Sequence, residues 1–224
     1  AQRCGNTTLY EHLTEHPCIL PALTEEVHFF DINFRKGVNW YRAHFPSILY
    51  KRYAKQTRGQ DVITGEGSSY YLFHPHAPRR ISEIVPRVKL ISLLRNPADR
   101  AYSQYTRNVT RGIETLSFEE ALKREPDRLL GERERMLSDE NHYSSNHRVF
   151  SYISRGVYLD QIRIFLNLFP KQQILILRSE DLFSDPASVL RRVLKFLNVP
   201  SWEPEEYRIY DHDTCPKMDP ATRE

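Results

Sequence analysis

The run from Val88 to Leu94 is nearly continuous in apolar side chains and stops at Arg95. That pattern suits a strand buried on both faces of a parallel sheet. Asn96-Pro97 then turns the chain, and Pro97 is well placed to open a helix because its missing N–H is not needed there. A buried strand that gives way to a helix is the unit of an α/β fold, and ligands of such sheets gather beyond the carboxyl ends of the strands. Arg95 at the strand end and Ser103 along the helix face one pocket. Arginine holds a phosphate bidentately and serine adds a donor, so the pair suits one phosphate group. The structural alternative is an Arg95–Asp99 ion pair.

The rest of the chain reads in the same way. Thr7 to His16 predicts a short helix ended by His16-Pro17, and Val27 to Asp31 a short extended piece. Asn39 to Phe45 predicts a small amphipathic helix, Asp61 to Glu66 a strand running into a loop, and Ala77 to Val85 a helix. Ser117-Phe118-Glu119-Glu120 is a capping box. Residues 124–150 are rich in Arg and Glu and fit either a solvated helix or a mobile lid. Val157 to Phe169 has helical spacing, Ile174 to Leu177 is a second buried strand, and Asp185-Pro186 opens a helix carrying Val189, Leu190, Val193, Leu194 and Leu197. Strands alternating with helices imply α/β with a central, mainly parallel sheet.

Composition narrows the function. The 224 residues are enough for one well-filled domain, and the net charge of +3 makes no case for nucleic acid. No run is apolar for the roughly 18 residues a membrane span needs, and no signal peptide is visible. A cytoplasmic setting is therefore expected, or the Golgi lumen if an N-terminal anchor has been removed. The loop-like start and the tail from Met218 to Glu224 suggest a piece trimmed from a longer polypeptide. Cys4, Cys18 and Cys215 are too scattered for a disulfide framework or zinc site. Free thiols are expected, with a Cys4–Cys215 or Cys18–Cys215 bridge as the alternative. The sequons at Asn6 and Asn108 carry little weight.

A second anion-binding element is Arg3-Cys4-Gly5-Asn6-Thr7-Thr8-Leu9-Tyr10, a small loop entering a helix. Exposed N–H groups at a helix start bind anions, Gly5 lets the backbone approach closely, and Arg3 adds charge. Simple capping of a surface helix by Thr7 is the structural alternative. The Gly-x4-Gly-Lys spacing of a Walker loop is absent.

Together these segments resemble the sulfotransferases that use 3′-phosphoadenosine 5′-phosphosulfate (PAPS), in particular the heparan-sulfate and bacterial carbohydrate or polyketide branch. The 3–10 segment resembles their 5′-phosphosulfate loop, and Leu94-Arg95-Asn96-Pro97 with Arg100 and Ser103 their 3′-phosphate loop. Glu25-Glu26-Val27-His28-Phe29-Phe30-Asp31 is similar to their Lys-Glu-x-His-Phe-Phe-Asp segment. Gly65-Glu66-Gly67-Ser68-Ser69-Tyr70-Tyr71 is similar to Gly-Glu-x-Ser/Thr-Pro-x-Tyr. Ser154-Arg155-Gly156-Val157-Tyr158 and Met218-Asp219-Pro220-Ala221-Thr222-Arg223 match two later elements. Asn6, Glu25 and Ser69 depart from the usual Thr, Lys and Pro.

The resemblance implies one sulfotransferase domain over 1–224, with a P-loop-like three-layer fold and a central, mainly parallel sheet flanked by helices. It implies in-line transfer of a sulfuryl group from PAPS to a hydroxyl of a glycan, polyketide or small alcohol, without a metal. Glu26 is the expected general base, with burial raising its pKa, and His28 the rival base on the same side of an extended segment. Arg3 would stabilise developing charge. Arg3, Cys4, Gly5, Asn6, Thr7, Thr8 and Leu9 would hold the 5′ end, and Arg95 and Ser103 the 3′-phosphate. Arg155, Gly156 and Tyr158 would close over the nucleotide, while Glu66 and Tyr71 would shape the acceptor side. The charged 124–150 region is expected over the acceptor cleft. The competing readings are a non-catalytic anionic-glycan or nucleotide-binding module and a P-loop-related nucleotide kinase.

Overall fold

Parallel strand pairs carry the fold. In the computed structural model, which describes residues 1–59, 61–210 and 218, helix α1 (Asn6–Glu15) leads to strand β1 (Ile19–Leu20). Helices α2 (Gly37–Arg42) and α3 (Ile48–Arg58) follow, then β2 (Ile63–Thr64) and α4 (Ala77–Ile84). Strand β1 pairs in parallel with β2, Ile19 opposite Ile63.

Strand β3 (Leu90–Leu94) pairs in parallel with β4 (Ile174–Arg178), Leu90 opposite Ile174 and Leu94 opposite Arg178. Leu93 and Leu177 are fully buried against Cys4, Leu9, Leu182, Val189 and Val193. Their neighbours in both strands are less buried than the apolar runs suggest. The amine of Ala1 donates to the Leu93 carbonyl (2.7 Å), which ties the first loop to β3.

Between these strands lie α5 (Pro97–Thr110), α6 (Phe118–Leu129), α7 (Glu132–Ser138), α8 (Ser145–Val149) and α9 (Tyr158–Leu168). Helices α10 (Ser179–Ser184) and α11 (Pro186–Leu197) follow β4. Local chemistry sets their starts. The Asn96 side chain accepts from the Ala98 and Asp99 amides ahead of α5, the Ser117–Glu120 capping box opens α6, and Asp185 caps α11.

Two readings need correction, and one helix was not anticipated. Val27 to Asp31 is not extended. Its amides are taken by side chains instead of a neighbouring strand: Val27 N by Glu66 (3.2 Å), His28 N by Ser68 (2.8 Å) and Phe29 N by Tyr71 (2.8 Å). Residues 124–150 are neither a free lid nor one solvated helix. Within this stretch Glu125 is buried and accepts from the Tyr152, Ile153 and Ser154 amides, while Arg128 pairs with buried Glu114. Helix α3 carries no period of buried residues that would have announced it; Ala54 is the buried one among its described side chains.

Cys4 and Cys18 are buried thiols outside any disulfide, and Cys215 lies outside the described residues, as does the 219–223 part of the late motif. Both sequon amides are engaged, Asn6 with the Ala1 carbonyl (2.7 Å) and buried Asn108 with the Val149 carbonyl (3.0 Å).

Candidate active site

The carboxyl ends of all four strands feed one region. Glu25, Glu26 and His28 follow β1, Ser69 follows β2, Arg95 follows β3, and Ser179 and Glu180 follow β4. A cleft of about 960 Å³ lies there, lined by Arg3, Gly5, Asn6 and Thr7 on one side and by Glu25, Glu26 and Ser69 on another. Arg95, Asp99, Ser103, Arg107 and Arg111 form a further wall, and Arg148, Phe183, Ile209 and Tyr210 complete it. Its size is that of a pocket for a sizeable small molecule.

At one end the two loops expected to bind anions meet. Arg3 Nε donates to Ser103 Oγ (3.1 Å), and Arg95 Nη1 reaches the Arg3 carbonyl at 3.4 Å. Gly5, not Thr7, is the N-cap of α1, in the left-handed region at φ 86° and with no side chain capping the helix. The first amides of α1 therefore open toward the cleft as a site for negative charge. A Cβ on Gly5 would lie 3.0 Å from the Phe183 ring, so glycine serves both the turn and the close approach.

Other predicted 5′-end residues face elsewhere. Cys4 and Leu9 are buried in the core, which leaves only their backbone to a ligand. The Thr8 hydroxyl donates to the Tyr210 carbonyl (3.0 Å) and accepts from the Tyr210 amide (3.0 Å), pinning residues 207–210 along α1.

Arg155, Gly156 and Tyr158 do not line the cleft. Arg155 is buried, donating to the Gln2 side chain and to the Arg148 carbonyl (2.7 Å), two residues that do line it. Tyr158 donates to the Arg95 carbonyl (3.1 Å). A Cβ on Gly156 would lie 3.0 Å from Pro97. These three brace the β3–α5 turn from behind.

At the other end stands Glu26. Its Oε1 accepts from the Ser69 amide (2.9 Å) and hydroxyl (2.7 Å), and its Oε2 lies 3.3 Å from His28 Nε2. His28 Nδ1 lies 2.8 Å from Oδ2 of Asp31, whose side chain is fully buried. Burial pushes the Glu26 carboxyl up, but the bond from His28 and those from Ser69 outweigh it and hold it at about 2. Burial pushes the His28 imidazole down, but Asp31 and Glu26 reverse this and raise it to about 9. The expectation of a Glu26 pKa raised by burial is thus corrected, because its donors win.

Glu66 and Tyr71 sit beneath this segment rather than on the cleft. Tyr71 donates to Glu66 Oε1 (2.7 Å), and both hold the 27–30 backbone. Burial pushes the Glu66 carboxyl up despite its hydrogen bonds.

Among the described residues, Arg3 (φ 63°), His28 (φ 53°) and Asn198 (φ 62°) are the non-glycines in the left-handed region. Asn198 is a helix C-cap, whereas Arg3 and His28 belong to the site, where backbone strain tends to collect. Asp31, Ser69, Arg107, Arg111 and Arg148 were not predicted as site residues. The spacing of Ser103, Arg107 and Arg111, each four apart on one helix face, was the available signal for two of them.

The Glu26–His28 pair has a pH signature. His28 is raised from 6.5, so its contribution to stability is complete below about pH 6.5 and is lost as pH rises through 9. Glu26 is lowered from 4.5, so its contribution is complete above that value and is lost as pH falls through about 2. The Tm gap between the native chain and His28→Gln should therefore narrow as pH is raised from 6.5 past 9. A gap constant over that range would contradict the pairing.

The model of the sulfotransferase domain family matches residues 1–218. The chain is 31% identical over 215 residues to a bifunctional heparan sulfate N-deacetylase/N-sulfotransferase 1 of Caenorhabditis elegans, covering 93% of this chain and 22% of that protein. It is 35% identical over 195 residues to the mouse heparan sulfate glucosamine 3-O-sulfotransferase 3B1, covering 87% of this chain and 43% of that protein. It thus spans less than half the length of either relative. The crystal structure of a sulfotransferase from Alicyclobacillus acidocaldarius superposes with a TM-score of 0.69 at 31% identity, over 100% of this chain and 85% of the other. A sulfotransferase domain from the curacin biosynthetic pathway shares the fold at TM-score 0.51 and 17% identity, over 94% of this chain and 75% of that one. With a match over nearly its whole length, the α/β chain with its parallel strands belongs to the sulfotransferase family.

Proposed function

We propose that the protein transfers a sulfuryl group from PAPS to a hydroxyl acceptor, with a glycan as the first acceptor class to test. The observation that carries this reading is the Arg3–Ser103 contact at 3.1 Å, which joins the two anion-binding loops inside the cleft that Glu26 also lines. The residues fit a nucleotide phosphorylated at both ends. Arg95 and Ser103 would hold the 3′-phosphate, while the α1 amides, Thr7 and Arg3 would hold the 5′-phosphosulfate. The heparan sulfate named for the curated relatives supports a glycan, and the curacin domain keeps a polyketide as the alternative.

Glu26 takes the acceptor proton as the acceptor oxygen bonds to sulfur and the bond from sulfur to the phosphate oxygen breaks. A carboxylate with a low pKa serves here because the hydroxyl becomes strongly acidic only as the new O–S bond forms. His28 and Ser69 position that carboxylate, and Asp31 positions His28. Arg3 stabilises the negative charge that builds on the departing phosphate oxygen.

The test is transfer of labelled sulfate from PAPS to a panel of hydroxyl acceptors, with calorimetric binding of adenosine 3′,5′-bisphosphate and ATP. Transfer, and tighter binding of the bisphosphate than of ATP, are expected. No transfer to any acceptor together with no bisphosphate binding would overturn the reading.

A further inference from the structure

Helix α3 buries Ala54 and presents apolar side chains to solvent. Ile48 is 71% exposed, Leu49 75% and Tyr53 63%. Leu23 is also 75% exposed, and its amide donates to the His44 carbonyl (2.8 Å), four residues ahead of the helix. Large apolar side chains grouped in this way mark an interaction surface rather than ordinary scatter.

The charges on α3 are of one sign. Residues 48–58 contain no Asp or Glu, while Lys51, Arg52 and Lys55 are all basic. Lys55 reaches exposed Asp61 (2.6 Å) and stays 60% exposed. Leu49 and Tyr53 form one row along the helix, Ile48 and Arg52 the next, and Lys51 and Lys55 the row beyond, so an apolar and a basic row flank a mixed one. None of these residues lines the cleft.

We propose that α3 and Leu23 form a docking surface for an anionic lipid membrane. Lys51, Arg52 and Lys55 would meet the headgroups, and Ile48, Leu49, Tyr53 and Leu23 would enter the headgroup–acyl boundary. Charge complementarity selects this occupant: a helix with exposed apolar residues, several lysines or arginines and no acid fits an anionic apolar interface. Long basic side chains hold their charge in water while their stems lie along the apolar boundary. The proposal is independent of the reaction the cleft performs.

Flotation with vesicles tests it. The protein is expected to float with phosphatidylcholine vesicles containing about one third phosphatidylserine, and not with phosphatidylcholine alone. The Arg52→Gln/Lys55→Gln variant should bind about thirtyfold more weakly, from two lost headgroup contacts. Ile48→Ser/Leu49→Ser should also lose binding, and both variants should keep the native fold and bisphosphate affinity. Absence of vesicle binding, or equal binding by wild type and both variants, overturns the proposal. So does capture of soluble heparin through Arg52 and Lys55 without vesicle binding. A dimer dissolved by Ile48→Ser/Leu49→Ser, again without vesicle binding, overturns it in favour of self-association.

Discussion

Glu26→Gln is expected to lower sulfuryl transfer by about a thousandfold while leaving the affinity for adenosine 3′,5′-bisphosphate unchanged. The substitution keeps the shape of the side chain and an oxygen for the Ser69 donors, but removes the atom pair that accepts a proton. A thousandfold is about 4 kcal/mol of transition-state stabilisation, within what a positioned base supplies. Rate and binding should separate because Glu26 lies beyond the loops proposed to hold the nucleotide. The pH profile carries a further mark. With Glu26 at about 2 and His28 at about 9, kcat/KM should show no acid limb from this pair above pH 5. It should fall above pH 9, as the imidazolium that holds the carboxylate loses its proton. Single-turnover rates across pH check both points. A Glu26→Gln enzyme within tenfold of wild type would remove Glu26 from the base role.

Arg95→Ala is expected to weaken adenosine 3′,5′-bisphosphate binding by about a hundredfold and to leave ADP nearly unaffected. The lost preference belongs to the 3′-phosphate alone, since ADP has no group at that position. Arg95→Lys should recover only part of the affinity, because an ammonium is a point charge without the planar fork. Exposed Arg178, at the end of the neighbouring strand and 3.8 Å from Asp181, supplies the control. Arg178→Ala should bind like wild type. Equal losses for both nucleotides in Arg95→Ala would mean that Arg95 shapes the loop instead of reading the phosphate.

Much of this arrangement was legible before any coordinates. The apolar run into Arg95, the Asn96-Pro97 start and the Ser117 capping box are local signals, and each marks an element end correctly. Gly5 reads in the sequence as a place where the backbone could approach a ligand; the structure adds the left-handed turn and the Phe183 ring, 3.0 Å from where a Cβ would lie. What escaped depends on distant partners. His28 was expected beside Glu26, but on an extended segment; it reaches Glu26 through a left-handed turn whose neighbouring amides Glu66, Ser68 and Tyr71, some forty residues on, hold in place. Thr8 looks like a ligand contact until Tyr210 arrives to occupy its hydroxyl. Arg155 looks like a nucleotide contact until its burial against Gln2 and Arg148 is seen. The pKa of Glu26 followed the same rule: the sequence suggested burial, but only the assembled site supplies the three donors that oppose it.

Among the described residues, the four strands form two parallel pairs, β1 with β2 and β3 with β4. Under the proposed function, Glu26, the base, follows the first pair, and Arg95, the ligand of the 3′-phosphate, follows the second. A sideways slip between the pairs would leave each grip intact yet change the gap that the reacting oxygen and sulfur must close. That gap needs to be near 3 to 3.5 Å for reaction, and an error of about 1 Å costs on the order of a hundredfold. Helix α11 packs on both pairs, Val189 and Val193 with Leu93 and Leu177, and Leu190 and Leu194 with Ile19, so it would act as a spacer gauge for the proposed sulfuryl jump.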